Sequence, residues 1–332
     1  MKDIFMEARE ICKTFNTGGS ILGRRRNPIK AVDNISLSIC KGETLGLVGE
    51  SGCGKSTLGK CLLRAVEPDS GTILVAGGEC GTLDFTQMSP KNIKTIRTRM
   101  QMIFQDPFNS LNPNMTVRDL IAEPLVLNLR YKQDELDQVV GGLMADVGLD
   151  RRYMGRYPHA FSGGQRQRIC IARAISTGPD FIVCDEAVSA LDVSVRAQII
   201  NLLMELQEKR KMAYLFISHD LSVVWHISSR VAVMYAGKIV ETGNTEEVFM
   251  HTAHPYTQLL LDSAPSMEPK SRKLPKDILP DASVNTPDAE SALEGCAFLP
   301  RCTRCGNEKK CRQAAPEFKK LGNTHQAACW LV

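Results

Sequence analysis

Gly46-Leu47-Val48-Gly49-Glu50-Ser51-Gly52-Cys53-Gly54-Lys55-Ser56-Thr57-Leu58 is a glycine-rich run around which the rest of the chain is organised. It fits the spacing GxxxxGKS through Gly49, Gly54, Lys55 and Ser56. Residues 44–48 form an apolar, β-branched run that reads as a buried strand, and the residues after Lys55 read as a helix. A Gly-rich turn that happens to precede a lysine is the bland alternative; the strand-loop-helix context argues for a phosphate-binding loop instead. Glycines let the backbone turn tightly and aim its N–H groups at phosphate oxygens, and the positive end of the following helix adds its field. Lys55 is placed to reach β and γ phosphates and the Ser56 hydroxyl to hold magnesium. The contact set runs through Gly49, Glu50, Ser51, Gly52, Cys53, Gly54, Lys55, Ser56 and Thr57.

Outward from this loop, several segments end in polar residues where an α/β sheet builds its site. Phe181-Ile182-Val183-Cys184 is apolar and delivers Asp185 and Glu186. Residues 214–218 are a second buried strand, delivering His219 and Asp220, and 100–104 a third, opening at Gln105-Asp106-Pro107. Ser189-Ala190-Leu191-Asp192 precedes a long helix that runs to about residue 210. From 116 to 177 the pattern turns helical, with Leu136, Val139, Val140, Leu143 and Val147 at helical spacing. Near the end of that region stand Ser162-Gly163-Gly164-Gln165, with Ser162 placed to cap a helix and two glycines baring N–H groups for a phosphate. Residues 4–15 read as a first strand ending at Phe15, an aromatic that serves either as core or as a stacking face for a base. Further strands are expected at 35–39 and 72–75, with a hairpin of 231–234 and 238–241 around Ala236-Gly237.

Composition bounds the reading. A chain of 332 residues, 43% hydrophobic, has material for a large core and more than one domain. A net charge of +4 is too small to argue for nucleic acid, and the three arginines 24–26 read as a solvated loop. No run is long enough to span a membrane, and Met1-Lys2-Asp3-Ile4 lacks the layout of a signal peptide, so the expected location is cytoplasmic, with any membrane role requiring other subunits. Of 12 cysteines, seven are scattered in apolar or glycine-rich segments. Cys53 among them sits beside Lys55 at a helix start, a setting that favours a reactive thiolate, although a small filler is the competing role. The other five, Cys296, Cys302, Cys305, Cys311 and Cys329, follow a proline-rich linker at 263–293.

Taken in order, the phosphate loop, Gln105, Ser162-Gly163-Gly164-Gln165, Asp185-Glu186, Ser189 to Asp192 and His219 resemble the ATPase subunit of an ABC transporter. The resemblance spans 4–262 and implies an α/β P-loop ATPase domain with an antiparallel β subdomain and a helical insert at about 107–178, followed by a small cysteine-rich region at 294–332. It further implies ATP and Mg2+ as ligands, with Ser56, Asp185 and Gln105 about the metal, Glu186 as base for the attacking water, His219 at the γ phosphate, and Phe15 near the base. Ser162, Gly163, Gly164 and Gln165 would face ATP held by a second, homologous ATPase subunit in a head-to-tail dimer. A soluble ABC ATPase of DNA repair or translation is a poorer match, since the chain shows neither a long coiled-coil insertion nor two ATPase halves.

A narrower resemblance joins Ile103 to Pro113, His254-Pro255-Tyr256-Thr257 and the tail Gly295-Cys296-Ala297-Phe298-Leu299-Pro300-Arg301-Cys302 to the dipeptide and oligopeptide uptake ATPases. Nickel and glutathione importers share these features. That family implies two permeases, a second ATPase, an extracytoplasmic binding protein, no nucleic acid, and a seat on the cytoplasmic face of the membrane. Cys296, Cys302, Cys311 and Cys329 match positions at which some members bind an iron-sulfur cluster, with Cys305 as an alternative ligand; four thiolates also suit zinc, and reduced cysteines in a small subdomain are the third reading. One residue departs from the family: Ala187 stands where proline usually follows the catalytic glutamate, which leaves Glu186 less restricted.

Overall fold

Every residue of Phe181–Asp185 is buried, as a central parallel strand covered on both faces requires. Its side chains divide two cores. Ile182 and Cys184 face one with the helical insert, while Phe181 and Val183 face the other with the helix Lys55–Leu62 and an antiparallel sheet. The computed structural model describes residues 3–16, 28–78, 81–129, 131–263, 295–305 and 308–332. The basic loop 18–26, Cys80 and nearly all of the expected linker lie outside the described residues.

The strands in chain order are β1 (Ile4–Phe15), β2 (Ile29–Cys40), β3 (Thr44–Val48), β4 (Ser70–Ala76), β5 (Thr82–Asp84), β6 (Met100–Ile103), β7 (Phe181–Asp185), β8 (Ala213–Ile217), β9 (Arg230–Tyr235), β10 (Lys238–Asn244), β11 (Lys319–Lys320) and β12 (Gln326–Ala327). They form one antiparallel sheet of order β2-β1-β4-β5 and one mixed sheet of order β11-β12-β10-β9-β3-β8-β7-β6. The run β6-β7-β8-β3-β9 is parallel, with Asp185 opposite Ile217 and Leu47 opposite Ile217 and Ala232, so their carboxyl ends lie along one edge.

Two expectations change here. The strand expected at 35–39 extends from Ile29 to Cys40, because it pairs with β1 through a ladder from Ile4↔Cys40 to Phe15↔Ile29 that the local pattern does not reveal. The helical stretch 116–177 is broken: Val117–Pro124 passes into a wider turn at Leu125–Leu129, Gln133–Asp146 follows, and Gly163–Ile175 closes the insert. Pro124 lacks an N–H, which accounts for the first break.

The hairpin of β9 and β10 forms as expected, yet it does not end the sheet. β10 presents an edge, and the C-terminal region covers it: Glu241 lies opposite Ala327, and Ala328 N–H donates to Val240 O at 2.8 Å. Fully buried Glu241 anchors this junction. Its carboxylate bonds His325 Nε2 at 2.7 Å and accepts the N–H groups of Ala253 and His254 at 2.8 and 3.0 Å. Glu241→Ala leaves all three without their acceptor and is expected to cost about 3 kcal/mol. Urea unfolding followed by Trp330 fluorescence checks this, and an unchanged midpoint would contradict it.

Candidate functional site

The phosphate loop joins β3 to Lys55–Leu62 and depends on glycine at two points. A Cβ on Gly54 would stand 1.9 Å from Ala31 O, and one on Gly49 2.2 Å from Met234 O. Both take positive φ, 110° and 152°, which glycine alone adopts freely. Lys55 is buried and pre-placed: Nζ donates to Gly49 O at 2.7 Å and Glu50 O at 2.8 Å. The N–H groups of Lys55, Ser56 and Thr57 open the helix, where no residue four positions back supplies an intrahelical acceptor. The N–H of Glu50 is engaged, donating to Tyr256 Oη at 2.8 Å.

Three other segments meet beside this loop. Ser56 Oγ donates to Asp185 Oδ1 at 2.7 Å, uniting a hydroxyl and a carboxylate from positions 129 residues apart. Burial raises the Asp185 carboxyl above its ordinary range, opposed by the Ser56 hydrogen bond. Next to it, Glu186 receives Gln105 Nε2 at 2.8 Å on one carboxylate oxygen and faces His219 Nδ1 at 3.4 Å on the other. Such a buried hydroxyl-carboxylate pair, with two hard oxygens already in contact, suits Mg2+.

Glu186 takes the left-handed conformation, φ 47°. Its N–H donates to Ile217 O at 3.0 Å, and its carbonyl accepts Ser189 N–H at 3.1 Å and Ser189 Oγ at 3.0 Å. The looser placement expected from Ala187 is therefore offset by three backbone bonds. A following proline biases a residue toward extended backbone, so alanine is the easier neighbour for this turn. Arg196 ties the same region together, donating to Asp220 Oδ2 at 2.8 Å and to Leu191 O at 3.2 Å.

Ser162, Gly163, Gly164 and Gln165 stand at the start of Gly163–Ile175. Ser162 and Gln165 form a capping box, each side chain bonding the other's N–H. A Cβ on Gly164 would meet Val195 Cγ1 at 2.4 Å, so this turn is seated against the helix after Asp192. Phe15 is exposed and lies opposite Ile29, two residues before the Ala31 whose carbonyl abuts Gly54. Cys53 is buried, and burial outweighs Lys55 to push its thiol up, a setting that favours the filler role.

Cys296, Cys302, Cys305, Cys311 and Cys329 do gather, lining one cavity of about 10 Å3 with His254, Phe298 and Trp330. Among the described residues no group of three or more Cys, His, Asp or Glu is arranged to hold a metal ion. The iron-sulfur and zinc expectations find no support in this arrangement. Cys296 and Cys302 pack, partly buried, against the core that holds Phe298, and Cys305, Cys311 and Cys329 are buried.

Two residues that the sequence does not assign to the site also reach the loop. Tyr256 bonds it through Glu50 N–H, and Arg301 pairs with the Glu50 carboxylate through two 2.8 Å bonds. Neither has a local signal, since they lie 206 and 251 residues away along the chain.

Residues 32–189 match the ABC transporter family model, and 240–311 match the oligopeptide/dipeptide transporter C-terminal region. The oligopeptide transport ATP-binding protein AppF of Bacillus subtilis is 44% identical over 330 residues, covering 99% of this chain and 98% of that protein. The dipeptide transport ATP-binding protein DppF of Haemophilus influenzae is 42% identical, covering 92% and 90%. Among solved structures, CbiO1 of Clostridium perfringens, part of the ABC transporter complex CbiONQ, superposes with a TM-score of 0.62 at 26% identity over 75% of this chain and 92% of that one. The dimeric ATP-binding cassette MJ0796 bound to ADP and Pi shares the fold, with a TM-score of 0.63 at 24% identity over 72% and 98%.

Proposed function

The chain belongs to the ABC transporter ATP-binding proteins of the oligopeptide and dipeptide type, and on that premise we propose that it hydrolyses ATP to power uptake of short peptides through a membrane permease complex. The observation that carries the reading is the convergence of Ser56, Gln105, Asp185, Glu186 and His219 on one phosphate loop. In this reading the triphosphate is cradled by the loop N–H groups, and Lys55 exchanges its carbonyl partners for β and γ oxygens. Ser56 and Asp185, with Gln105, hold Mg2+, which neutralises developing phosphate charge when bound. Glu186 takes the proton of the attacking water, His219 donates to the γ phosphate, and Phe15 stacks on the base.

Ser162, Gly163, Gly164 and Gln165 complete the site of a homologous second ATPase. ATP then makes more contacts in the closed pair than in the open one, and only that difference drives closure. Hydrolysis removes the shared phosphate and lets the pair reopen. No described helix is long and apolar enough to cross a membrane; two permeases supply the path, an extracytoplasmic binding protein delivers the cargo, and this chain sits peripherally on the cytoplasmic face. In this assignment 1–262 is the ATP-binding unit, 263–293 a linker and 294–332 a C-terminal region.

Uptake measured in cells carrying the complete complex tests the cargo. Labelled di- to pentapeptides are expected to accumulate with wild-type chain and not with Lys55→Ala. Accumulation of nickel or glutathione instead would move the cargo assignment while leaving the importer in place.

A further inference from the structure

Glu50 is a carboxylate inside a loop whose task is to receive an anion. Its side chain is held by Arg301 through two parallel bonds, Nη1 to Oε2 and Nη2 to Oε1, both 2.8 Å. Arg301 lies in the short turn Leu299–Arg301 of the C-terminal region, and its guanidinium is 5.8 and 5.9 Å from the ring centroids of Tyr235 and Phe298. Those rings pack in turn on Tyr256, whose hydroxyl accepts the Glu50 N–H. The second residue of the phosphate loop is thus tied to one aromatic cluster by both its backbone and its side chain.

Half-exposed ion pairs usually contribute little. This one differs in being bidentate, in having its cation oriented by packing, and in lying where a net negative charge opposes the ligand. We propose that Arg301 is a positioning residue of the ATP site, neutralising and holding Glu50 so that the phosphate loop accepts the triphosphate. The C-terminal region thereby becomes part of the nucleotide site. This inference rests on the reading of the loop as an ATP site.

Binding of a fluorescent ATP analogue with Mg2+ to the full chain tests it, alongside KM and kcat in the assembled transporter. Arg301→Met keeps the apolar stem against Tyr235 and Phe298 but removes the charge; it is expected to weaken binding and raise KM by about three- to tenfold, with kcat within about twofold. Arg301→Lys retains most of the affinity. Adding Glu50→Gln to Arg301→Met recovers it, because the carboxylate that needed neutralising is gone. Wild-type affinity in Arg301→Met overturns the proposal, and so does a loss that Glu50→Gln fails to recover, which a merely structural role would give. If wild-type binding is itself insensitive to Lys55→Ala, the ATP-site reading fails and takes this proposal with it.

Discussion

Replacing Glu186 by glutamine is expected to leave ATP bound while lowering its turnover by about two to four powers of ten. Glutamine fills the same space and can still meet Gln105 and His219, but it cannot accept the proton of the attacking water. The backbone bonds from Glu186 to Ile217 and Ser189 do not involve the side chain, so the φ 47° turn survives the change. Nucleotide affinity should therefore hold steady, and the ATP-bound closed pair should accumulate because its exit through hydrolysis is blocked. Single-turnover hydrolysis together with equilibrium binding separates the two effects. Unchanged hydrolysis would move catalysis to the partner's site.

Lys55→Ala is expected to act on the other quantity, weakening ATP binding by about 10- to 100-fold through loss of hydrogen bonds between charged partners. The side chain is buried against Gly49 O and Glu50 O, so its charge is already drawn into the loop before ATP arrives. Little ordering of a flexible side chain then opposes binding. Alanine also leaves those two carbonyls facing the site without a donor. Calorimetric titration of the variant with ATP and Mg2+ gives the number, and wild-type affinity would remove Lys55 from the site.

What was legible in the sequence had short-range causes. Phe181–Asp185 could be read because a strand covered on both faces must be apolar throughout, and Asp185 and Glu186 because such a strand delivers its acids at the carboxyl end. The Ser56–Asp185 pair could be anticipated because each partner carried its own local motif. Arg301 and Tyr256 could not, since a bond across 251 or 206 residues leaves no periodicity at either end. β11 and β12 are two residues each, too short for an alternating pattern; β12 pairs on the edge of β10, and β11 on β12. Cysteine spacing indicated a shared location correctly, but a shared location does not by itself make a ligand set, and among the described residues none is formed.

The most direct measurement is ATP turnover by this chain assembled with its second ATPase and permeases, with and without a binding protein loaded with short peptide. Turnover is expected to rise with the peptide-loaded binding protein and to be lost in Glu186→Gln. Turnover indifferent to the loaded binding protein, or raised by nickel or glutathione and not by peptide, would contradict peptide uptake.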